Sequence, residues 1–467
     1  MSKKLEQRIM EKKIDDLIKK QKDFFGSGKT LNISYRKECL KAFDRTIKKY
    51  EDEIYLALKV DLKKHAVEAF GADLLPIKTD LKFLIKNLNF LTKAQKVGTP
   101  LFIQPGSAKI QPHPYGVCAI ISPFNYPFDL SFTPAAGAIA AGNTVILKPS
   151  EFTPRCTALI KKIVSETFDE GLFSILEGGP EEARYLTSQN LDYIFFTGSS
   201  QVGKKVMEQA AQNLTPISLE LGGKNPCIVD KDADLNISAQ RIAWAKIFNA
   251  GQSCVVPDFV YVQQDIKHEF IAYLKKAFKH QLPSFDPNED YARIVNKHHF
   301  QRILSLFNKE EVLYGGRSNP MERVIEPTIL CINNWDHPAM KEEIFGPVIP
   351  ILEYENIDTL MKFLNSKPRP LALYYFSSSK RKQEKVIKNA CAGGISINDT
   401  MAHIQNRKLP FGGVGNSGMG YYHGEFTFRN FTHYKAVQKR GWKEVPLKYP
   451  PYKGKFKLLK KILHILN

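Results

Sequence analysis

A cysteine set among small and polar residues is a candidate nucleophile, and Cys254 stands in such a segment, NAGQSCVVPD, between the apolar stretches WAKIF and FVYV. Inert buried cysteines usually lie inside apolar runs, as Cys227 and Cys331 do. Glu220 ends the apolar run of SLELGGK beside two glycines. Burial there raises a carboxyl toward neutrality and suits it to general-base work, whereas a surface position would only pair it with a lysine. Asn125, in SPFNYP, offers an amide to a developing oxyanion, or else makes an Asx-type turn between prolines. Nucleophile, base and oxyanion donor are the parts of covalent catalysis.

Two further segments point to a nucleotide. FTGSSQVGKKVMEQAA reads as a strand, a Gly-Ser turn and a helix, whose free N–H groups and dipole suit a pyrophosphate. The Gly198–Gly203 spacing is not the G-x-G-x-x-G fingerprint, and a tight turn requiring glycine explains it equally well. In LKPSE, Lys148 and Glu151 follow a predicted strand. A carboxylate there can hold ribose hydroxyls, although on their own such charges are more often surface residues. The eleven histidines show no metal-ligand spacing, and no metal is expected.

The elements that must position these groups follow from periodicity. Residues 1–96 keep apolar residues at helical spacing. GVCAIIS, NTVILK, LFSILEG, DYIFFTG and ISLELGG then read as short buried strands, with helices between them, FDLSFTPAAGAIAAG among these. Such alternation predicts an α/β fold with a doubly wound parallel sheet, which binds ligands outside the carboxyl ends of its strands. A second α/β series runs from Asn225 to about Asp399 through VIEPTIL, PVIPILEY, LALYYFSS and GGISIN. PFGGVGNSGMG reads as a structured loop, and NFTHYKAVQKRG as a last strand.

The 467 residues carry 67 basic and 48 acidic side chains, a net +19. Nucleic-acid binding, an anionic surface or a solvated lysine-rich exterior would each give such a balance, and no nucleic-acid motif accompanies it. The solvated exterior is the expectation, with no nucleic-acid partner. The N-terminus lacks the apolar core of a secretory signal, and no apolar run reaches the ~18 residues of a membrane span. Seven scattered cysteines without a C-x-x-C pair predict reduced thiols and a cytoplasmic location. The end of the chain predicts a basic amphipathic helix from about Lys455, with Leu459, Ile462, Leu463 and Leu466 in a stripe flanked by Lys457, Lys460 and Lys461. That stripe would pack on the enzyme or a dimer partner, touch anionic membranes peripherally, or remain disordered.

Taken in order, PFNYP, GNTVILKPSE, FTGSSQVGK, LELGGKNP, GQSCV, EEIFGPV and PFGGVGNSGMG resemble the aldehyde dehydrogenase superfamily, from about Asp16 to Gly441. SPFNYPFDL, GQSCVVPD and LPFGGVGNSGMGYYHG are similar to its class 3 branch. The resemblance implies Cys254 as nucleophile, Glu220 as base, and Asn125 with the Cys254 N–H as oxyanion hole. It implies NAD, with NADP as a secondary cofactor, held by Lys148, Glu151, Gly198, Ser199, Val202, Gly203, Glu343 and Phe345. It places Tyr126, Trp244, Met401, Ile404 and Phe411 along a tunnel for medium-chain aliphatic or aromatic aldehydes. Phe124 departs from the tryptophan common in the larger family.

The same resemblance implies a cofactor domain of residues 1–97 and 116–219 and a catalytic domain of 220–412. Bridging strands at 98–115 and 427–440 would build a homodimer, and 442–467 would form the tail. Two rival readings remain: a coenzyme A-acylating dehydrogenase, against which Glu220 argues, and a non-catalytic protein that retains the fold.

Overall fold

The computed structural model describes residues 3–100, 103–286, 289–444 and 446–466, with side chains as far as Lys461. The N-terminal helical region divides into the helices Lys3–Gly26, Ile33–Lys49, Glu51–Leu62 and Leu75–Leu91. The apolar spacing from Tyr35 to Leu62 reads as one helix, but the chain breaks at Tyr50. Asn32 caps the first half by accepting from the Tyr35 N–H, and Lys63 ends the second in the left-handed region.

The predicted strands form a six-stranded sheet in the order 418–419, 217–221, 193–198, 117–121, 144–148 and 173–175. All pairs are parallel except the short strand Gly418–Met419, which runs antiparallel to Ile217–Leu221. Chain order reverses between the adjacent strands Val117–Ile121 and Tyr193–Gly198. Their carboxyl ends therefore flank the crevice where a doubly wound sheet takes its ligand. The helix Asp129–Ala141 packs in this layer with every residue buried, as befits a helix built of small apolar residues all round.

A seven-stranded sheet holds the second series, ordered 312–314, 328–331, 348–354, 259–263, 226–229, 372–376 and 394–397. Its edge strand Val312–Tyr314 is antiparallel and the rest are parallel. A third sheet joins Gln95–Val97, Gly106–Pro114 and Thr432–Arg440. It differs from the expected bridging pair in having a third strand before residue 98. It also starts later at its far end, because Glu425–Asn430 is helical and buries Thr427 and Phe428.

The tail is helical over Lys455–Leu466, as its periodicity predicts. Phe456 and Leu458 are exposed, while the side chains of Ile462, Leu463 and Leu466 lie outside the described residues. Among the described residues, no helix is long and apolar enough to cross a membrane.

Candidate active site

Cys254 follows the helix Leu235–Ile247 through a short turn, Phe248–Gly251, in which Asn249, Ala250 and Gly251 all have positive φ. Each non-glycine residue in that region costs about 1–2 kcal/mol. The surroundings hold the turn. The Asn249 side-chain amide donates to the carbonyls of Asn125 (3.2 Å) and Gln252 (3.1 Å). The Gln252 amide donates to Asn249 O and Arg293 O and accepts from the Val295 N–H. Glycine is required at 251, since a Cβ there would lie 2.3 Å from the Gly346 carbonyl. Past the turn, Asn225 donates to the carbonyls of Cys254 (2.6 Å) and Val256 (3.1 Å). The Tyr374 hydroxyl donates to Val255 O. Cys254 itself is half-buried, and burial, followed by the carboxylates of Glu343 and Glu220, pushes its thiol up.

Glu220 lies on Ile217–Leu221 and is 3% exposed. Neither carboxyl oxygen has a hydrogen-bond partner among the described residues, and burial alone holds the group well above the usual carboxylate range. Asn125, 2% exposed, follows the strand Val117–Ile121, and its side-chain amide donates to Gln252 O at 3.2 Å. Ser253 hydrogen-bonds the Tyr126 hydroxyl. Thus Asn125 and Tyr126 engage the residues just before Cys254.

Lys148 ends the strand Thr144–Lys148, and its ammonium lies 2.6 Å from Glu151 Oε2. Ser199 caps the helix Ser200–Gln212 by accepting from the Val202 N–H, and Val202 is 45% exposed. Gly203 lets that helix approach the sheet: a Cβ would meet Leu221 Cδ2 at 2.6 Å. Gly198 is closed on one side by the Phe196 ring. Glu343 is pushed up to about 8 by burial and then by Asp258, against Lys224, the Gly223 N–H and Lys246. Phe345, with φ of 49°, packs edge-on to Phe124, which also meets Phe152 and His299. Phe124 is therefore a hydrocarbon ring in an aromatic cluster.

Met401 and Phe411 belong to one buried apolar cluster, and Cys254, Ile404, Phe248 and Phe124 pack against it. Trp244 joins through Phe248, 5.2 Å between ring centroids.

The scaffolding residues escape a sequence reading. Asn225, Asn249 and Gln252 lie inside LELGGKNP and NAGQSC, but each also bonds a residue far along the chain: Cys254, Asn125 and Arg293 respectively. Lys246 and Arg302 carry no sequence signal. Lys246 is fully buried, pushed down to about 8, and donates to Gly346 O. Arg302 donates to the carbonyls of Glu343 and Ile344.

Comparison with known proteins identifies the family and the fold. The model of the aldehyde dehydrogenase family matches residues 6–437. The 4,4'-diaponeurosporen-aldehyde dehydrogenase of Staphylococcus aureus is 45% identical over 97% of this chain and 98% of its own length. The mouse dimeric NADP-preferring aldehyde dehydrogenase is 39% identical over 95% of this chain and 98% of its own. The solved substrate-bound state of Staphylococcus aureus AldH superposes with a TM-score of 0.94 at 44% identity, covering 96% of this chain and 99% of that one. Indole-3-acetaldehyde dehydrogenase in complex with NAD+ gives 0.85 at 25% identity, over 92% and 89%. The chain belongs to the aldehyde dehydrogenase family, whose members oxidise aldehydes with NAD(P).

Proposed function

We propose that the chain converts apolar aldehydes to carboxylic acids through a thioester on Cys254. The observation that carries this reading is the convergence on one thiol of Glu220, a buried carboxyl without a partner among the described residues, and Asn125, an amide tied to the same loop. Cys254, having lost its proton to solvent, adds as the thiolate to the carbonyl carbon, and the oxygen that gains charge is met by the Asn125 amide and the Cys254 N–H. When bound, the dinucleotide supplies the acceptor for the hydride lost from that carbon. Glu220 then takes a proton from water, whose oxygen attacks the acyl carbon and expels the sulfur. The base favours hydrolysis over transfer to coenzyme A.

The residues present fit a dinucleotide. Glu343 keeps a carboxyl in the cleft, Ser199 opens a helix whose N–H groups suit a pyrophosphate, and Lys148 with Glu151 stands where ribose hydroxyls would be read. The experiment is a pair of variants. Cys254→Ala should abolish turnover and retain cofactor binding. Glu220→Gln should give a burst of NADH followed by turnover slowed on the order of 10²–10⁴-fold. Parental turnover in either variant overturns its assigned role.

The apolar wall of Trp244, Met401, Ile404 and Phe411, with Tyr126, supports medium-chain aliphatic or aromatic substrates. The name of the Staphylococcus aureus relative adds a polyene aldehyde to the candidates. A kcat/KM survey over alkanals, benzaldehydes and polyenals ranks them, and a preference for short charged aldehydes would exclude this reading. A homodimer is supported by the edge strand Thr432–Arg440, largely exposed and open to pairing along one side. Sedimentation velocity checks it. The unpaired cysteines fit the reducing cytoplasm. The exposed Phe456 and Leu458 beside tail lysines support peripheral contact with anionic lipid. Loss of vesicle binding in a chain ending at Tyr452 tests that contact.

A further inference from the structure

Lys64 and Asp73 form an ion pair 2.7 Å apart in which neither side chain has any exposed surface. Removing two charges from water is costly, so a buried pair is weak as a device for stability alone. The chemistry proposed for Cys254, Glu220 and Asn125 makes no use of it.

The geometry of the pair points elsewhere. The Lys64 ammonium donates to Asp73 Oδ2 and also to the main-chain carbonyl of Asn125, at 2.9 Å. It lies 4.4 Å from the centroid of the Tyr126 ring. The other Asp73 oxygen accepts from the Phe128 N–H at 3.3 Å. One ion pair therefore fastens both ends of the segment 125–128. The intervening residue Glu68 reaches the nucleophile loop, accepting from the Asn249 N–H at 3.0 Å. Asn249 in turn donates its side-chain amide to the same Asn125 carbonyl. That carbonyl thus receives two donors, one of them charged. Asp73 sits in the π turn Phe70–Leu74, an irregularity that recurs at functional sites.

We infer that Lys64 is a positioning residue for the oxyanion hole, a role that rests on the reading of Asn125 and Cys254 given under the proposed function. Oxyanion donors act only when preorganised, and a few tenths of an ångström decide whether they do. A charge-assisted hydrogen bond to the Asn125 carbonyl, in a site closed to water, stops its peptide plane from rocking. The side-chain amide is then aimed by the main chain that carries it. Asp73 holds the ammonium in place.

The test removes the bond without leaving a lone buried charge. Lys64→Met combined with Asp73→Asn keeps the volume and the acceptor for Phe128. Lys64→Met with Asp73→Leu is the second variant, and the one whose thermal midpoint stays within about 5 °C of the parent is used. Single-turnover NADH formation should fall on the order of 10–100-fold, while KM for aldehyde and the NAD dissociation constant change less than about twofold. In an Asn125→Ala background the same pair of substitutions should cost less than about twofold more, because the group being aimed is gone. Parental acylation in the Lys64 variant, with Asn125→Ala crippled, overturns the positioning role alone. A full additional loss on top of Asn125→Ala also overturns it, since Lys64 would then act independently of the amide. Parental acylation in Asn125→Ala itself overturns the oxyanion reading, and the role of Lys64 with it.

Discussion

The carboxyl of Glu343 lies directly on Gly222: a Cβ built at 222 would fall 1.9 Å from Glu343 Oε2. The neighbouring Gly223 N–H donates to the same carboxyl. The two glycines thus shape the seat of a group proposed to hold the nicotinamide ribose. Gly222→Ala should displace Glu343 and weaken NAD(P) binding about tenfold, the upper scale of one lost hydrogen bond. Cofactor titration by fluorescence reads this, with Glu343→Gln as the comparison. Parental affinity in both variants would remove Glu343 from the cofactor site.

Cofactor choice should turn on Glu151. Its charge opposes a 2′-phosphate, while Lys148 at 2.6 Å offsets part of that charge. Like charges ~4 Å apart at an effective dielectric of 20 repel by about 4 kcal/mol before screening. NAD is therefore expected to be preferred, without exclusion of NADP. Glu151→Gln should raise the NADP-to-NAD ratio of kcat/KM roughly tenfold, a change of about 1.4 kcal/mol. An unchanged ratio would show that Glu151 does not face the ribose.

Arg407 ties the loop before PFGGVGNSGMG to two helices. It donates to both oxygens of Asp80 (3.2 and 2.8 Å), lies 3.7 Å from Asp129, and donates to His423 Nε2. Both aspartates are buried, and Asp129 is already pushed up to about 7 by burial. Arg407→Met leaves these carboxyls without their cation and should destabilise the fold by about 3–5 kcal/mol in urea denaturation. Adding Asp80→Leu should recover part of that loss. A loss below about 1 kcal/mol for Arg407→Met would mean that water reaches the pair.

Acid should weaken the fold through two histidines. Burial pushes His299 and His403 from 6.5 down to about 4, so both are neutral in the folded chain near neutrality. Between those limits each of these two imidazoles binds more proton in the unfolded chain, so their own contribution to stability rises with pH. It is fully present above about 6.5 and is lost as pH falls toward 4. Across this window the thermal midpoint of the parent should fall relative to that of His403→Gln as the pH is lowered. The same slope in parent and variant would show that His403 takes no part.

The parts legible in the sequence are those set by local pattern. Strands such as Val117–Ile121 and Thr144–Lys148 show as short apolar runs between turn residues, because a strand buried on both faces has no polar side. Cys254 and Glu220 stand out because each interrupts or ends an apolar run beside small residues, and Asn125 because it is a lone amide between prolines, where a packing role would ask for something else. The strand Pro226–Val229 is short and follows a glycine pair, so its neighbours mask it, and Glu425–Asn430 takes a helical turn inside what reads as a strand approach. The order of motifs sufficed for the family. It could not reveal that a lysine and an aspartate nine residues apart, in helical sequence that reads as solvated, would be wholly enclosed. Composition and period report which residues prefer water. Whether a charged group is denied it depends on chain that arrives from elsewhere, as Asn125 and Phe128 arrive over Lys64 and Asp73. The identity of the reacting groups was therefore written locally, and their aim was decided only when distant segments closed around them.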